Sequence, residues 1–221
     1  MGEVAGAGLL AHVPTIMLPY EWRGDPGLAR AVAGQAGPHG TWITAIDDPC
    51  LPVHYATVNL WHYLGRGLAK RWISVSTAQT GDTEDFLRAG RALGSAIERT
   101  RRTVLLVASG AMSHTFWSLR ELRAHEASDT VHIRTAEARA ADLERIGWLE
   151  AGDHARVIAT MPEFLKVRPE ARFAHYLMMV AALGDGTVTV PLDDVAGKLR
   201  TVRLDHPLVA AARNVGTCLG D

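Results

Sequence analysis

Thr103-Val104-Leu105-Leu106-Val107-Ala108-Ser109-Gly110-Ala111-Met112-Ser113-His114 is the stretch whose reading decides the fold. Its first six residues are apolar or β-branched without a break, the pattern of a strand buried on both faces. Small residues and Gly110 then let the chain turn sharply and present His114 beyond the strand. Upstream, Thr83–Arg101 places Phe86, Leu87, Ala89, Ala92, Leu93, Ala96 and Ile97 at helical spacing, and Asp82 or Thr83 is available as its cap. Helix, buried strand and polar turn in succession are the unit of an α/β protein.

Working outward, the same alternation recurs. Glu3–Ala11 reads as a first buried strand that runs into His12-Val13-Pro14. Leu28–Ala36 reads as a helix, with Asp25-Pro26 before it and Gly37 after it. Thr41–Ile46 and Arg71–Thr77 read as strands, and Tyr55–Leu64 as helical. Ala136–Ala151 and Glu170–Leu183 read as helices, and Thr187–Val190 as a short strand. The expectation is an α/β, single-domain layered fold over 1–221, with a mostly parallel or mixed sheet flanked by helices. Residues 192–221 are weakly patterned. Ligands of such sheets bind at the carboxyl ends of strands, which is where His12 and His114 stand.

A length of 221 residues suits one domain with a substantial core. Apolar residues at 48% and charged residues at 21% are those of a water-exposed globular protein. The net charge of −1 gives no clustered cation for nucleic acid or an anionic membrane. Cys50 and Cys218 make no disulfide framework, so a cytoplasmic location is expected. The apolar start has Glu3, no basic leader, and is interrupted by His12 and two prolines; neither a signal peptide nor a membrane span is expected.

Each candidate residue has a plain and a chemical reading. His12 is either a loop histidine bonded to backbone or a metal ligand. His114 is either an exposed turn residue or a general acid/base. Ser109 with His114 lacks the G-x-S-x-G elbow of a serine hydrolase. His54 follows Asp47-Asp48-Pro49-Cys50-Leu51-Pro52, a rigid polar loop. His62 can share a helix face with His54, at a spacing unlike that of an H-E-x-x-H zinc site. Glu170 either complements the dipole of the helix it opens or contributes a carboxylate to a site. Met178-Met179 reads as core packing, and His125 and His132 as solvated. Cys50 has no evident base partner to make it a nucleophile.

Ala11-His12-Val13-Pro14-Thr15, Pro52-Val53-His54-Tyr55 and Ala108–His114 together resemble the class III (LigB-type) extradiol ring-cleavage dioxygenases, within them the 3,4-dihydroxyphenylacetate (homoprotocatechuate) 2,3-dioxygenase branch. Met161-Pro162-Glu163-Phe164 and Pro169-Glu170 continue the likeness, which spans roughly residues 1–184. The resemblance implies Fe(II) held by two histidines and a glutamate, with a small aromatic diol and O2 as reactants. It implies His12 and Glu170 as metal ligands, His114 as the acid/base, and His54 as a second proton-transfer or substrate-contacting residue.

The chain also departs from that pattern. A strand ending in an Asp-Thr-His-Trp-like motif supplies the family's second histidine ligand. Here Met17-Leu18-Pro19 passes straight to Tyr20-Glu21-Trp22, as if a block of about fifty residues were missing. A lost strand exposes sheet edges, so a homo-oligomer is expected. The alternative to an active oxygenase is a degenerate, non-catalytic subunit or paralogue that serves as an oligomer partner. A metal-dependent hydrolase is a third reading.

Overall fold

The computed structural model describes residues 2–5, 17–20, 22–48, 55–65, 68–110, 112–114, 118, 120, 133 and 135–184. His12, His54, Cys50, His125, His132, Cys218 and the expected strand Thr187–Val190 lie outside them, as do residues 192–221.

Strands β1 (Gly2–Ala5) and β2 (Met17–Tyr20) pair antiparallel, with Gly2 opposite Tyr20 and Ala5 opposite Met17. Helix α1 (Pro26–Ala36) begins as its sequence demands. The Asp25 carboxylate accepts from the Leu28 N–H at 3.0 Å, and Pro26 fills the first turn where no N–H is needed. Leu28, Val32 and Ala36 recur every fourth residue and form its buried stripe. Helix α2 (Tyr55–Leu60) runs on into a wider π turn, Trp61–Gly65, within the expected helical span.

Helix α3 (Thr83–Thr100) is the centre of the molecule. Asp82 accepts from the Asp85 N–H, and Asp85 accepts in return from the Asp82 N–H, a reciprocal cap that satisfies two otherwise orphaned donors. Its buried side divides between two neighbours. Leu93 and Ala96 pack with Leu28 and Val32 of α1. Phe86 and Leu87 join the larger cluster around helix α7 (Ala174–Leu183). A Cβ on Gly90 would stand 2.4 Å from the Met178 carbonyl, and one on Gly94 2.5 Å from that of Ala182. The two glycines therefore set how closely α3 and α7 approach.

Helices α4 (Ala136–Ala151), α5 (His154–Ala159) and α6 (Met161–Phe164) complete the cluster. Val157, Met161, Phe164, Leu177 and Val180 are its fully buried centre. Burying a side chain of this kind is worth about 1.5–3 kcal/mol, so these few residues dominate the packing energy.

Of the runs expected as strands, 41–46, 71–77 and 103–108 lie wholly among the described residues. Ile43, Ile73, Val104 and Leu106 pack on the α1–α3 cluster. Trp42, Ile46, Leu105 and Val107, at the alternate positions, are exposed, and so is Val75, which shares the parity of Ile73. The period of two in 41–46 and 103–108 is that of a sheet surface. Among the described residues, however, the named ladder is β1–β2, with isolated bridges Arg23–Arg71 (parallel) and Ser113–Pro169 (antiparallel). Of the expected sheet, the described residues carry the alternation and not the ladder.

The expected helix Glu170–Leu183 is corrected in its first turn. Glu170–Phe173 is a 3₁₀ turn in which Ala171, Arg172 and Phe173 are left-handed, and α7 starts only at Ala174. The cause lies just upstream, where Pro169 is extended and paired with another segment.

Candidate active site

Beyond the run 103–108, the chain pairs with the segment that leads into α7. Ser113 stands opposite Pro169 in an antiparallel bridge. The His114 N–H donates to the Arg168 carbonyl at 3.2 Å, and the Glu170 N–H to the Met112 carbonyl at 2.9 Å. In the backbone register of this bridge His114 and Glu170 are diagonal neighbours. Two residues 56 positions apart are thus registered by two backbone hydrogen bonds, and both are half-buried.

The ribbon is anchored. Asp142 of α4 accepts from the Ser113 N–H at 3.0 Å and from the Ser113 hydroxyl at 2.5 Å. Ser113 and Asp142 are both buried. Burial pushes the Asp142 carboxyl up from its usual range, while the two Ser113 bonds and the charge of Arg145 oppose that rise. Arg145 is itself buried. It donates to the carbonyls of Ala141 and Thr160, and its guanidinium lies 4.3 Å over the Phe164 ring. A charge this deep must be paired and bonded; here it ties α4 to the helical core.

Past Glu170 the backbone is unusual. Arg168, Ala171, Arg172 and Phe173 all have positive φ, the conformation that L-residues avoid at roughly 1–2 kcal/mol each. The turn delivers His175 against the strand-end turn: a Cβ on Gly110 would stand 2.1 Å from the His175 ring. Phe173 meets that ring edge-on at 5.3 Å and stacks on Tyr176 at 4.7 Å. The His175 Nδ1 is buried and has no hydrogen-bond partner. Burial lowers the His175 pKa to about 4, against the pull of the nearby Glu170 charge, so the imidazole is neutral. Next to it, His154 Nδ1 and the Tyr176 hydroxyl bond at 2.8 Å in the core.

The backbone pairing sets the segment that carries His114 beside the one that carries Glu170. His12 and His54 lie outside the described residues. His39 is engaged with the Ser95 hydroxyl at 2.9 Å, and Met178 is core, as read. Sequence reading missed His175 and Asp142. Asp142 looked like any polar residue on an amphipathic helix. His175 was hidden by the assumption of a regular helix from residue 170.

Among the described residues no cluster of three His, Cys, Asp or Glu side chains gathers that could hold a metal. They do offer a half-buried carboxylate, Glu170, and an orphaned neutral imidazole nitrogen whose ring senses its charge. That donor chemistry fits a divalent iron. No helix of the described residues is long and apolar enough to cross a membrane.

Residues 15–196 match the family described as the catalytic LigB subunit of aromatic ring-opening dioxygenase. The chain is similar to a 3,4-dihydroxyphenylacetate 2,3-dioxygenase of Escherichia coli, 30% identical over 100 residues, which are 45% of this chain and 36% of that protein. It is also similar to ATP-dependent 6-phosphofructokinases. That of Propionibacterium freudenreichii is 36% identical over 103 residues, 45% of this chain and 27% of the kinase. That of Spirochaeta thermophila is 41% identical over 81 residues, 34% of this chain and 22% of the kinase. The chain thus aligns with 22–36% of the length of these curated relatives. The family match covers most of the chain and takes in the segment that carries Glu170 and α7: this protein belongs to the LigB family of aromatic ring-opening dioxygenases.

Proposed function

We propose that the protein is a non-haem Fe(II) extradiol dioxygenase that opens the ring of a substituted catechol, such as 3,4-dihydroxyphenylacetate, with O2. The observation that supports this reading is the backbone pairing of 112–114 with 168–170, which makes His114 and Glu170 diagonal neighbours in register. We take the fold to be the layered α/β domain expected from the sequence, working as a homo-oligomer in the cytoplasm.

In this reading Glu170 and His12 would hold the iron, which when bound would supply Lewis-acidic and redox chemistry. The residues of the chain do the rest. The His114 ring takes the proton of a catechol hydroxyl and returns it as the ring opens. His54 is the second group in contact with the substrate. Ser113 and Asp142 fix the register of the ribbon, so that His114 cannot slide away from Glu170. Both oxygen atoms end in the product and one ring carbon–carbon bond is broken, so no further reductant is required.

The test is oxygen uptake and visible absorbance of the ring-opened product, with anaerobically iron-loaded protein and 3,4-dihydroxyphenylacetate. The wild type should consume one O2 per catechol. His114→Ala should keep its iron and lose at least about a hundredfold in turnover. Glu170→Ala should lose the iron. Iron-loaded wild type that consumes no oxygen would replace this reading with that of a non-catalytic family member in an oligomer.

A further inference from the structure

The segment 168–175 meets the segment 110–114 through backbone and through one side chain. The backbone contacts are the hydrogen bonds from the His114 N–H to the Arg168 carbonyl at 3.2 Å and from the Glu170 N–H to the Met112 carbonyl at 2.9 Å. The side chain is His175. Its ring lies so close on Gly110 that a Cβ there would stand 2.1 Å from the ring Cε1 and 2.3 Å from Nδ1.

The register alone would not put His175 there. Ser113 pairs with Pro169 in an antiparallel bridge, so a continued ribbon would set Arg172 opposite Gly110. Arg172 is exposed instead. Ala171, Arg172 and Phe173 are all left-handed, helix α7 starts at Ala174, and its second residue is the one that meets Gly110. Left-handed backbone is costly for L-residues, and strain of this kind persists where the surroundings over-determine it, most often at functional sites. What the strained turn achieves here is the seating of one ring. That ring is braced by the core: Phe173 meets it edge-on at 5.3 Å, and Phe173 in turn packs edge-on against Phe164 and stacks on Tyr176.

We propose that His175 is a positioning residue: by bracing Gly110 against the core, its ring fixes the start of the turn that delivers His114. The position of the ring matters, not its nitrogen. Nδ1 is buried without a partner among the described residues, so an apolar ring would fill the same seat without stranding a polar atom. The proposal rests on the reading of His114 as the proton-transferring group of a dioxygenase, and its test separates the two.

The experiment measures oxygen uptake by the iron-loaded full chain with 3,4-dihydroxyphenylacetate, resolving kcat from KM, alongside iron content and circular dichroism. His175→Ala should lower kcat at least about tenfold, as misplacement of a reacting group does, with KM and iron content within about twofold of wild type. His175→Phe, which keeps a ring on Gly110, should hold kcat within about threefold of wild type. A folded His175→Ala variant with wild-type kcat overturns the proposal and leaves the dioxygenase reading standing. So does a loss that His175→Phe shares, because the nitrogen and not the ring's position is then what counts, and so does a loss that falls on KM or iron content. Wild type without turnover overturns both. Should His175→Ala not fold, His175→Leu is judged by the same criteria, and if that variant does not fold either, the ring serves folding alone and the proposal falls.

Discussion

At the scale of single residues, Gly110 controls more than its size suggests. Its missing Cβ is the space occupied by the His175 ring, with three ring atoms within 2.5 Å of where that carbon would stand. Gly110→Ala should therefore destabilise the fold by about 1–3 kcal/mol, the usual range for overpacking. Gly34 is the internal contrast. It lies in α1, and a methyl group at its Cα would meet nothing within 4 Å, so Gly34→Ala should stabilise by up to about 1 kcal/mol. Urea unfolding of both variants checks the pair; equal effects of the same sign would contradict the packing described. The buried histidines add a pH dependence. His175 and His154 are both held neutral by burial, His175 down to about 4. The unfolded chain takes up these protons near 6.5, so between that pH and about 4 it binds more protons than the folded chain. Stability of the metal-free protein should be level above about 6.5 and fall steadily as the pH drops toward 4. His154→Gln should flatten part of that fall. Unfolding midpoints that stay constant from neutral pH down to about 5 would contradict it.

At the scale of elements, the turn before α7 and the Ser113–Asp142 clasp act together. Ala171 is exposed and left-handed, so its side chain contributes strain and no packing. Ala171→Gly should stabilise by roughly 0.5–1 kcal/mol, the relief of strain less the extra entropy of an unfolded glycine. Asp142→Ala should cost about 2–3 kcal/mol, because it strips a buried hydroxyl and a buried N–H of their shared acceptor. It should also impair His114 before it impairs folding, seen as lost turnover in protein with native circular dichroism. These elements show what the sequence could and could not disclose. Local rules sufficed for α1, α3 and α4, because the Asp25, Asp82 and Thr135 caps and the apolar stripes are written within each segment. Local rules failed at Glu170–Phe173. Nothing in Glu-Ala-Arg-Phe opposes a right-handed helix; the opposing force is the pairing with 112–114, more than fifty residues away. For the same reason the His114–Glu170 pairing was legible only through resemblance, and His175 not at all.

At the scale of the molecule, the runs 41–46, 71–77 and 103–108 pack apolar residues on the helices and, among the described residues, leave others exposed. Ile43, Ile73, Val104 and Leu106 turn toward α1 and α3, while the alternate residues turn outward, Trp42 to 89% and Leu105 to 75% exposure. Apolar residues scattered singly on a surface need no explanation. Four on the alternate positions of the runs 41–46 and 103–108 form a pattern of a different kind, because a strand of a layered sheet buries both faces. A second copy of the chain is the cover we propose, in keeping with the homo-oligomer expected from the sequence. Sedimentation should then show wild type as a dimer or larger. Leu105→Lys places a charge in the middle of the bare face, close in sequence to Val107, and should shift the protein to monomer with its helical circular dichroism intact, since Leu105 contributes little to the core. Wild type that sediments as a monomer at every concentration, or a Leu105→Lys variant of unchanged size, would mean that the outward face is closed by this chain's own residues instead.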